Sequence, residues 1–270
     1  MRAKLQDGVL IYPPYTRRST VCKIIAVILL ATGARAFDAT PLMSFFQPPT
    51  PTGLTPPITT GLILWLDASD ASTITTSGGR VTQWNDKSGR GNHATAATTT
   101  APIVGTFHGR TVMQCGGTNY MVLTTPIAGG TSTIFAVVYK NAVANGGMYF
   151  WGGDGDPYAN MADQNTTGQG YNAQGASAAF SPSTNWANII TVTLRVKTGT
   201  TANHAYYANK ASGTVVNHTP SGVTWKRLFH YGAAGYSAKG GMAALYYYSY
   251  PLSDADVATM QDWLIANYGE

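Results

Sequence analysis

The chain of 270 residues carries 17 Lys and Arg against 12 Asp and Glu, a formal net charge of +5, and charged residues make up only 11% of it. With charges this scarce and Gly at 30 positions, the composition suits a turn-rich β-protein of an extracellular or particle surface better than a cytosolic enzyme. The sole Glu is Glu270, so the other eleven carboxylates are Asp and an acid–base pair built on Glu is excluded.

The positive charge is concentrated at the start. Residues 1–60 hold Arg2, Lys4, Arg17, Arg18, Lys23 and Arg35 against Asp7 and Asp38, a net +4, while the remaining residues hold eleven cations against ten acids. The nearly neutral body gives no electrostatic ground for nucleic-acid binding. In residues 1–46, Arg17, Arg18 and Lys23 precede an apolar run from Ile24 to Ala31, which is shorter than the about 20 residues a membrane span needs. Ala34-Arg35-Ala36 has the small-x-small pattern of a cleavage site. Two readings fit: a retained arm that anchors through Arg17, Arg18 and Lys23, or a secretory leader over 1–36 with a mature start at Phe37. The next stretch, "QPPTPTGLTPPITT" over 47–60, has five prolines and reads as an extended linker to a body starting near Gly61. An irregular segment lying on the body is the alternative. Cys22 and Cys115 fall on either side of this stretch and suggest no disulfide framework.

From Gly61 onward, short β-branched and aromatic runs alternate with Gly, Asn, Ser and Asp turns. "GLILWLDA", "RVTQWND", "TVMQC", "YMVLTT", "STIFAVVYK", "GGMYFWGG", "WANIITVTLRVKT", "HAYYANKA", "GTVVNH", "KRLFHYGAA" and "MAALYYYSYPLS" follow in order. Such a series predicts an antiparallel sandwich or barrel, and the lack of strand–helix alternation argues against a parallel sheet. Tyr246, Tyr248 and Tyr250 share one face of the last strand, as part of the core wall or as an exposed stacking surface. One helix is expected, in "LSDADVATMQDWLIANYG". Ser253 is its N-cap, Asp254 and Asp256 suit its positive end, and Val257, Met260, Leu264 and Tyr268 form one face with Gly269 at its end.

"QWNDKSGRGNHAT", over 83–95, gathers Asp, Ser, Gly, Asn and His in one loop. Gly89 and Gly91 give backbone freedom for a tight reversal. Asp86, Ser88 and Asn92 can satisfy turn N–H and C=O groups. The loop is therefore expected to be an architectural corner. Its mimicry of a dinucleotide fingerprint is discarded, because "TAATTTAPIV" after it has no helical pattern.

These residues also resemble a family. Trp65 and Asp67, then Trp84, Asp86, Ser88, Gly89, Gly91, Asn92 and Ala94, then Leu252, Ser253, Asp254 and Asp256 are similar to the pattern of laminin G-like domains of the concanavalin A-like lectin/glucanase fold. The likeness covers about residues 61–270. It implies an all-β, antiparallel jelly-roll β-sandwich with one short C-terminal helix, preceded here by an extended N-terminal arm. Such domains occur in secreted adhesion and carbohydrate-binding modules and in structural proteins of phages. The glucanase members carry a Glu-rich strand motif that this chain lacks, so no enzyme is expected.

Of other chemistries, Asp154 and Asp156, with Asn160 and Asp163 at loop spacing, form a candidate calcium set. The alternative is a solvated Asp-Gly and Asp-Pro turn. His93, His108, His204, His218 and His230 show no metal-ligand spacing, and no nucleophile motif is present. The expected function is a non-enzymatic phage virion protein, a capsid decoration, head fibre or tail component. Its arm would contact capsid or tail subunits, and a homo-oligomer that touches a host-surface glycan is expected. The alternative is a secreted bacterial carbohydrate-binding or adhesion module.

Overall fold

A computed structural model describes residues 4–6, 9–11, 54–128, 130–140, 148–153, 159–163, 169–173, 176–179, 190–196, 204–208, 211–212, 224–231, 236–237 and 239–269. The chain divides into two units, Met1–Pro48 and Pro49–Glu270. In the first, β1 (Lys4–Gln6) pairs antiparallel with β2 (Val9–Ile11).

The second unit contains β3 (Leu62–Asp67), β4 (Ile74–Ser77), β5 (Arg80–Trp84), β6 (Ala94–Thr95), β7 (Ile103–Phe107), β8 (Arg110–Gly116), β9 (Met121–Ala128) and β10 (Ser132–Lys140). It continues with β11 (Met148–Gly153), β12 (Ala159–Asp163), β13 (Gln169–Ala173), β14 (Ala176–Ala179), β15 (Ile190–Val196), β16 (His204–Ala208) and β17 (Ala211–Ser212). The last strands are β18 (Thr224–Leu228), β19 (His230–Tyr231), β20 (Tyr236–Ser237) and β21 (Lys239–Tyr248), followed by helix α1 (Asp254–Tyr268).

Among the described residues the strands form two large antiparallel sheets. One runs β17-β16-β15-β10-β21-β8-β7, with β3 also on β21; the other runs β14-β13-β12-β11-β18-β9-β6-β5-β4. β21 is the axis of the first sheet. One edge pairs with β10 throughout, and the other serves β8 with its first half and β3 with its second.

The expected sandwich is present. Leu64, Leu66, Ile134, Ala136, Val138, Leu245 and Tyr247 of the first sheet meet Val81, Trp84, Met121, Leu123, Trp151, Trp225 and Leu228 of the second in one buried cluster. The opposite face of the first sheet is also buried, with Phe135, Val137, Tyr139, Tyr246 and Tyr248 packing against Val257, Met260, Leu264 and Tyr268 of α1. This explains why "STIFAVVYK" and "MAALYYY" are continuously apolar: a strand covered on both faces has no solvent side to alternate toward. Tyr246 and Tyr248 are fully buried, so they are core wall and leave no stacking surface for a sugar.

Several elements differ from their sequence reading. β7 was masked by its Gly105 and short length, and it forms because the two-residue turn His108-Gly109, both at positive φ, folds it onto β8 with Phe107 opposite Arg110. Asn160 and Asp163 lie on β12 rather than in a loop, since pairing with β11 and β13 outweighs their poor strand propensity. "GTVVNH" lies outside the described residues. The end of the Pro-rich stretch is docked on the body: the Tyr248 hydroxyl donates to the Ile58 carbonyl at 2.8 Å and the Tyr250 hydroxyl to Thr60 at 3.2 Å. Cys115 is free and buried.

The helix start is as its sequence requires. The Asp256 N–H donates to the Ser253 hydroxyl at 3.1 Å, and that hydroxyl donates to the Asp256 carboxylate at 2.7 Å. Replacing Ser253 by Ala should cost about 1 kcal/mol, lowering Tm by about 2–4 °C for a domain of this size. Calorimetric melts of the two proteins check this.

Candidate functional site

The corner loop after β5 is held through one carboxylate. Asp86 is almost fully buried. It accepts from the Trp65 N–H at 2.9 Å, the Ser88 N–H at 2.8 Å, the Asn92 N–H at 3.0 Å and the Ser88 hydroxyl at 2.8 Å. The Asn92 amide donates to the Ile63 carbonyl at 2.7 Å, the Thr124 hydroxyl to Gly91 at 3.1 Å, and the Asp86 N–H to His93 Nδ1 at 3.0 Å. Gly89 and Gly91 take φ values of 81° and 74°, which L side chains resist. Every one of these bonds ties the loop to β3, to β9 or to itself, and none is left pointing at a ligand.

A second polar group adjoins it. Lys87 Nζ lies 3.3 Å from Asp67 and 2.8 Å from Asp70, and 4.3 Å from the centre of the Trp65 ring. Asp67 is fully buried and also accepts from the Ser69 N–H and hydroxyl. The Tyr246 and Tyr268 hydroxyls are 3.1 Å apart, and burial together with the Asp67 carboxylate pushes the Tyr268 hydroxyl up. Asp67, Asp70 and Asp86 are thus committed to joining β3, the corner and the end of α1.

The Lys87 hydrogen bond holds the Asp70 carboxyl below its ordinary 3.8. A depressed carboxylate contributes stability above its unfolded value and loses it as pH falls through the folded one. The stability gap between the native protein and Lys87→Met should therefore be constant from pH 7 to about 5 and shrink below about 4. Urea unfolding at stepped pH reads this. A gap that stays constant to pH 2 would show that the ion pair does not form.

Asp154 and Asp156, and the anchoring residues Arg17, Arg18 and Lys23, lie outside the described residues, as do Cys22, His204's side chain and His218. Among the described residues no group of three or more His, Cys, Asp or Glu is arranged to hold a metal ion.

One constellation had no counterpart in the sequence reading. α1 covers the outer face of the first sheet, but no hydrophobic cluster of described residues forms on the outer face of the second. Across the second sheet the strand register aligns a transverse row. Val122 of β9 is opposite Arg227 of β18, Arg227 opposite Gly152 of β11, and Gly152 opposite Asn160 of β12. The row continues through Asn172 of β13 to Ser177 of β14. Val122 and Arg227 are on the outer face, because their neighbours Met121 and Leu228 are in the inter-sheet core.

At the Arg227 end, the guanidinium lies 5.3 Å from the centre of the Tyr120 ring, and Tyr120 meets His230 at 5.1 Å. The backbone is irregular here. Between the pairs Val122–Arg227 and Ile127–Trp225, β9 has four residues against one on β18, and Thr124, Thr125 and Pro126 are exposed. Phe229, buried between Leu228 and His230, sits at φ 66°, a strained conformation for a bulky residue. Bulges and strained residues re-aim side chains and gather at functional sites. The only sequence signal for this place was "KRLFHY", two cations followed by aromatics in an otherwise nearly neutral body.

No family model and no curated protein matches the chain. Solved structures do match its fold. Trypanosoma rangeli sialidase, in complex with 2,3-difluorosialic acid as a covalent intermediate, superposes with a TM-score of 0.55 at 16% identity over 79% of this chain and 35% of its own. The chain thus spans about a third of that enzyme's length. Domain 4 of AbnA, a GH43 extracellular arabinanase from Geobacillus stearothermophilus, in complex with arabinotriose, gives 0.51 at 15% identity over 74% of this chain and 98% of that domain. The binding domain of Botulinum neurotoxin DC, in complex with rat synaptotagmin II, gives 0.51 at 11% over 77% and 52%. At these identities the likeness establishes a shared β-sandwich fold.

Proposed function

We propose that residues 54–269 form a non-enzymatic carbohydrate-binding β-sandwich module. The observation that carries this reading is the match to almost the whole of a single arabinanase domain solved with arabinotriose. A domain of that extent, rather than the body of an enzyme, is the unit this chain resembles. The commitment of Asp67, Asp70 and Asp86 to structural bonds supports binding rather than hydrolysis. The motifs around Trp65, Trp84 and Ser253 keep a laminin G-like domain as the finer family reading. Calorimetry and a glycan array test the function: measurable binding to at least one oligosaccharide is expected, with no reducing ends released on long incubation. A clean negative across polysaccharides would overturn it.

A second reading places this module on a phage particle as a decoration, head fibre or tail component. The basic first unit, separate from the nearly neutral second, favours it over a free secreted module. Copurification with virus particles that is lost on deleting residues 1–48 supports display. Undiminished incorporation of the deletion refutes anchoring by that unit.

A further inference from the structure

We infer that β7 is the contact surface for a second copy of this chain, and that two copies join β7 to β7 across a twofold axis at Gly105. The surface stands out by its chemistry. Ile103 and Val104, 41% and 43% exposed, are the exposed large hydrophobics among the described residues, and both lie on β7. Among those residues β7 pairs with β8 alone, so its other side is an open sheet edge. The usual protections of such an edge are missing. Residues 103–107 carry no charge and no proline, and the register with β8 runs unbroken from Ile103 to Phe107. The edge strand β4 of the second sheet, by contrast, exposes Thr75, Thr76 and Ser77. The open edge is also held in place at both ends. The His108-Gly109 turn closes one end, and at the other the Val81 N–H donates to the Pro102 carbonyl at 2.8 Å.

The strand is complementary to itself. A two-residue turn closes on a hydrogen-bonded pair, here Phe107 and Arg110, and bonded pairs alternate along an antiparallel ladder. Ile103 and Gly105 therefore bond to β8, and the N–H and C=O groups of Val104 and Thr106 point to the open side. With the axis at Gly105, Val104 of one copy lies opposite Thr106 of the other. The two exchange both backbone bonds, and the twofold repeats the exchange, so every outward donor meets an acceptor. Ile103 of one copy then lies opposite Phe107 of the other. That ring is fixed by stacking on Tyr139 at 3.8 Å, so an exposed aliphatic side chain is covered by an ordered apolar one. At the axis the Gln114 carboxamide fills the place a Cβ would take on Gly105. The twofold sets the two carboxamides side by side, each able to donate and accept. The first sheet becomes continuous through both copies. A contact of one short strand falls at the low end of interface sizes, below about 1,200 Å², so a reversible dimer that dissociates on dilution is expected.

The test is sedimentation of the full chain over a range of micromolar concentrations. The native protein should shift from monomer to dimer as concentration rises. Val104→Lys places like charges near the axis, one from each copy, and should leave only monomer. Thr106→Pro removes an outward N–H from each copy without touching the ladder to β8, and should weaken the dimer at least about tenfold. Melting temperatures report whether the variants fold. A second measurement does not depend on disrupting the edge: Val104→Cys with Thr106→Cys, made together with Cys22→Ser, should cross-link into a covalent dimer on mild oxidation. A native protein that stays monomeric overturns the inference. So does a dimer that both β7 variants leave unchanged, including one lost only when residues 1–48 are deleted, and so does failure of the cysteine variant to cross-link. None of these outcomes bears on the carbohydrate-binding reading, which the glycan array decides.

Discussion

Asp86→Ala should be among the most damaging single substitutions in the chain, costing about 3–5 kcal/mol in urea unfolding. The carboxylate is the acceptor for three backbone N–H groups and one hydroxyl. Its removal leaves buried donors from β3, the corner and Asn92 unmatched together, at about 1–3 kcal/mol for each that water cannot reach. Against a typical total of about 5–15 kcal/mol, such a loss is a large fraction. Asp86→Asn retains one acceptor oxygen and should lose less. Ser88→Ala removes a single hydroxyl donor and should lose about 1 kcal/mol. The ordering matters more than any one value, and near-equal losses for the three would show that the corner does not depend on the carboxylate.

Trp151→Ala should cost a similar amount, about 3–5 kcal/mol, by a different cause. Its side chain is fully buried between the sheets, edge-on to Trp225 at 5.7 Å and stacked with Tyr247 at 6.0 Å. Truncation removes transfer energy and leaves a cavity that two aromatic neighbours, each fixed on its own strand, cannot collapse to fill. The indole Nε1 finds no hydrogen-bond partner among the described residues, so Trp151→Phe forfeits volume but no bond and should lose roughly half as much. Urea midpoints of the two variants separate these effects. A Phe variant as unstable as the Ala variant would mean that the indole nitrogen is bonded after all.

The features legible in the sequence were those fixed by neighbours in the chain. Ser253 caps its helix through Asp256 three residues on, and the face Val257, Met260, Leu264 and Tyr268 was visible from helical spacing alone. The corner was legible because Asp86 satisfies the Ser88 and Asn92 N–H groups within a few residues, while its bond to Trp65 and the Asn92 bond to Ile63 reach back to β3. The outer-face row was not. It joins residues from 122 to 227 through pairings between strands, and one of those strands, β12, carries residues that read as loop ligands. Its position depends on bulges that shift register without leaving any hydrophobic signature. Nor does "RLFHY" announce that Phe229 adopts positive φ, since propensity argues against it. The role of Asp67 was half visible: the W-x-D motif marked the residue, but its partners Lys87 and Tyr268 come from 20 residues on and from the last turn of the chain.

The placement of β21 has a consequence for how the protein is made. Three strands laid down much earlier, β3, β8 and β10, have no common neighbour until residues 239–248 leave the ribosome. The first sheet is then completed at its centre, and α1, which follows β21, closes over it. Residues 239–268 therefore have to be made before this half of the domain can close. A nascent chain waits with apolar strand edges open, a state that favours misassociation and chaperone capture over co-translational folding. Stop codons placed within β21, from residue 241 on, delete the axis of a sheet, and their products should be recovered as aggregates.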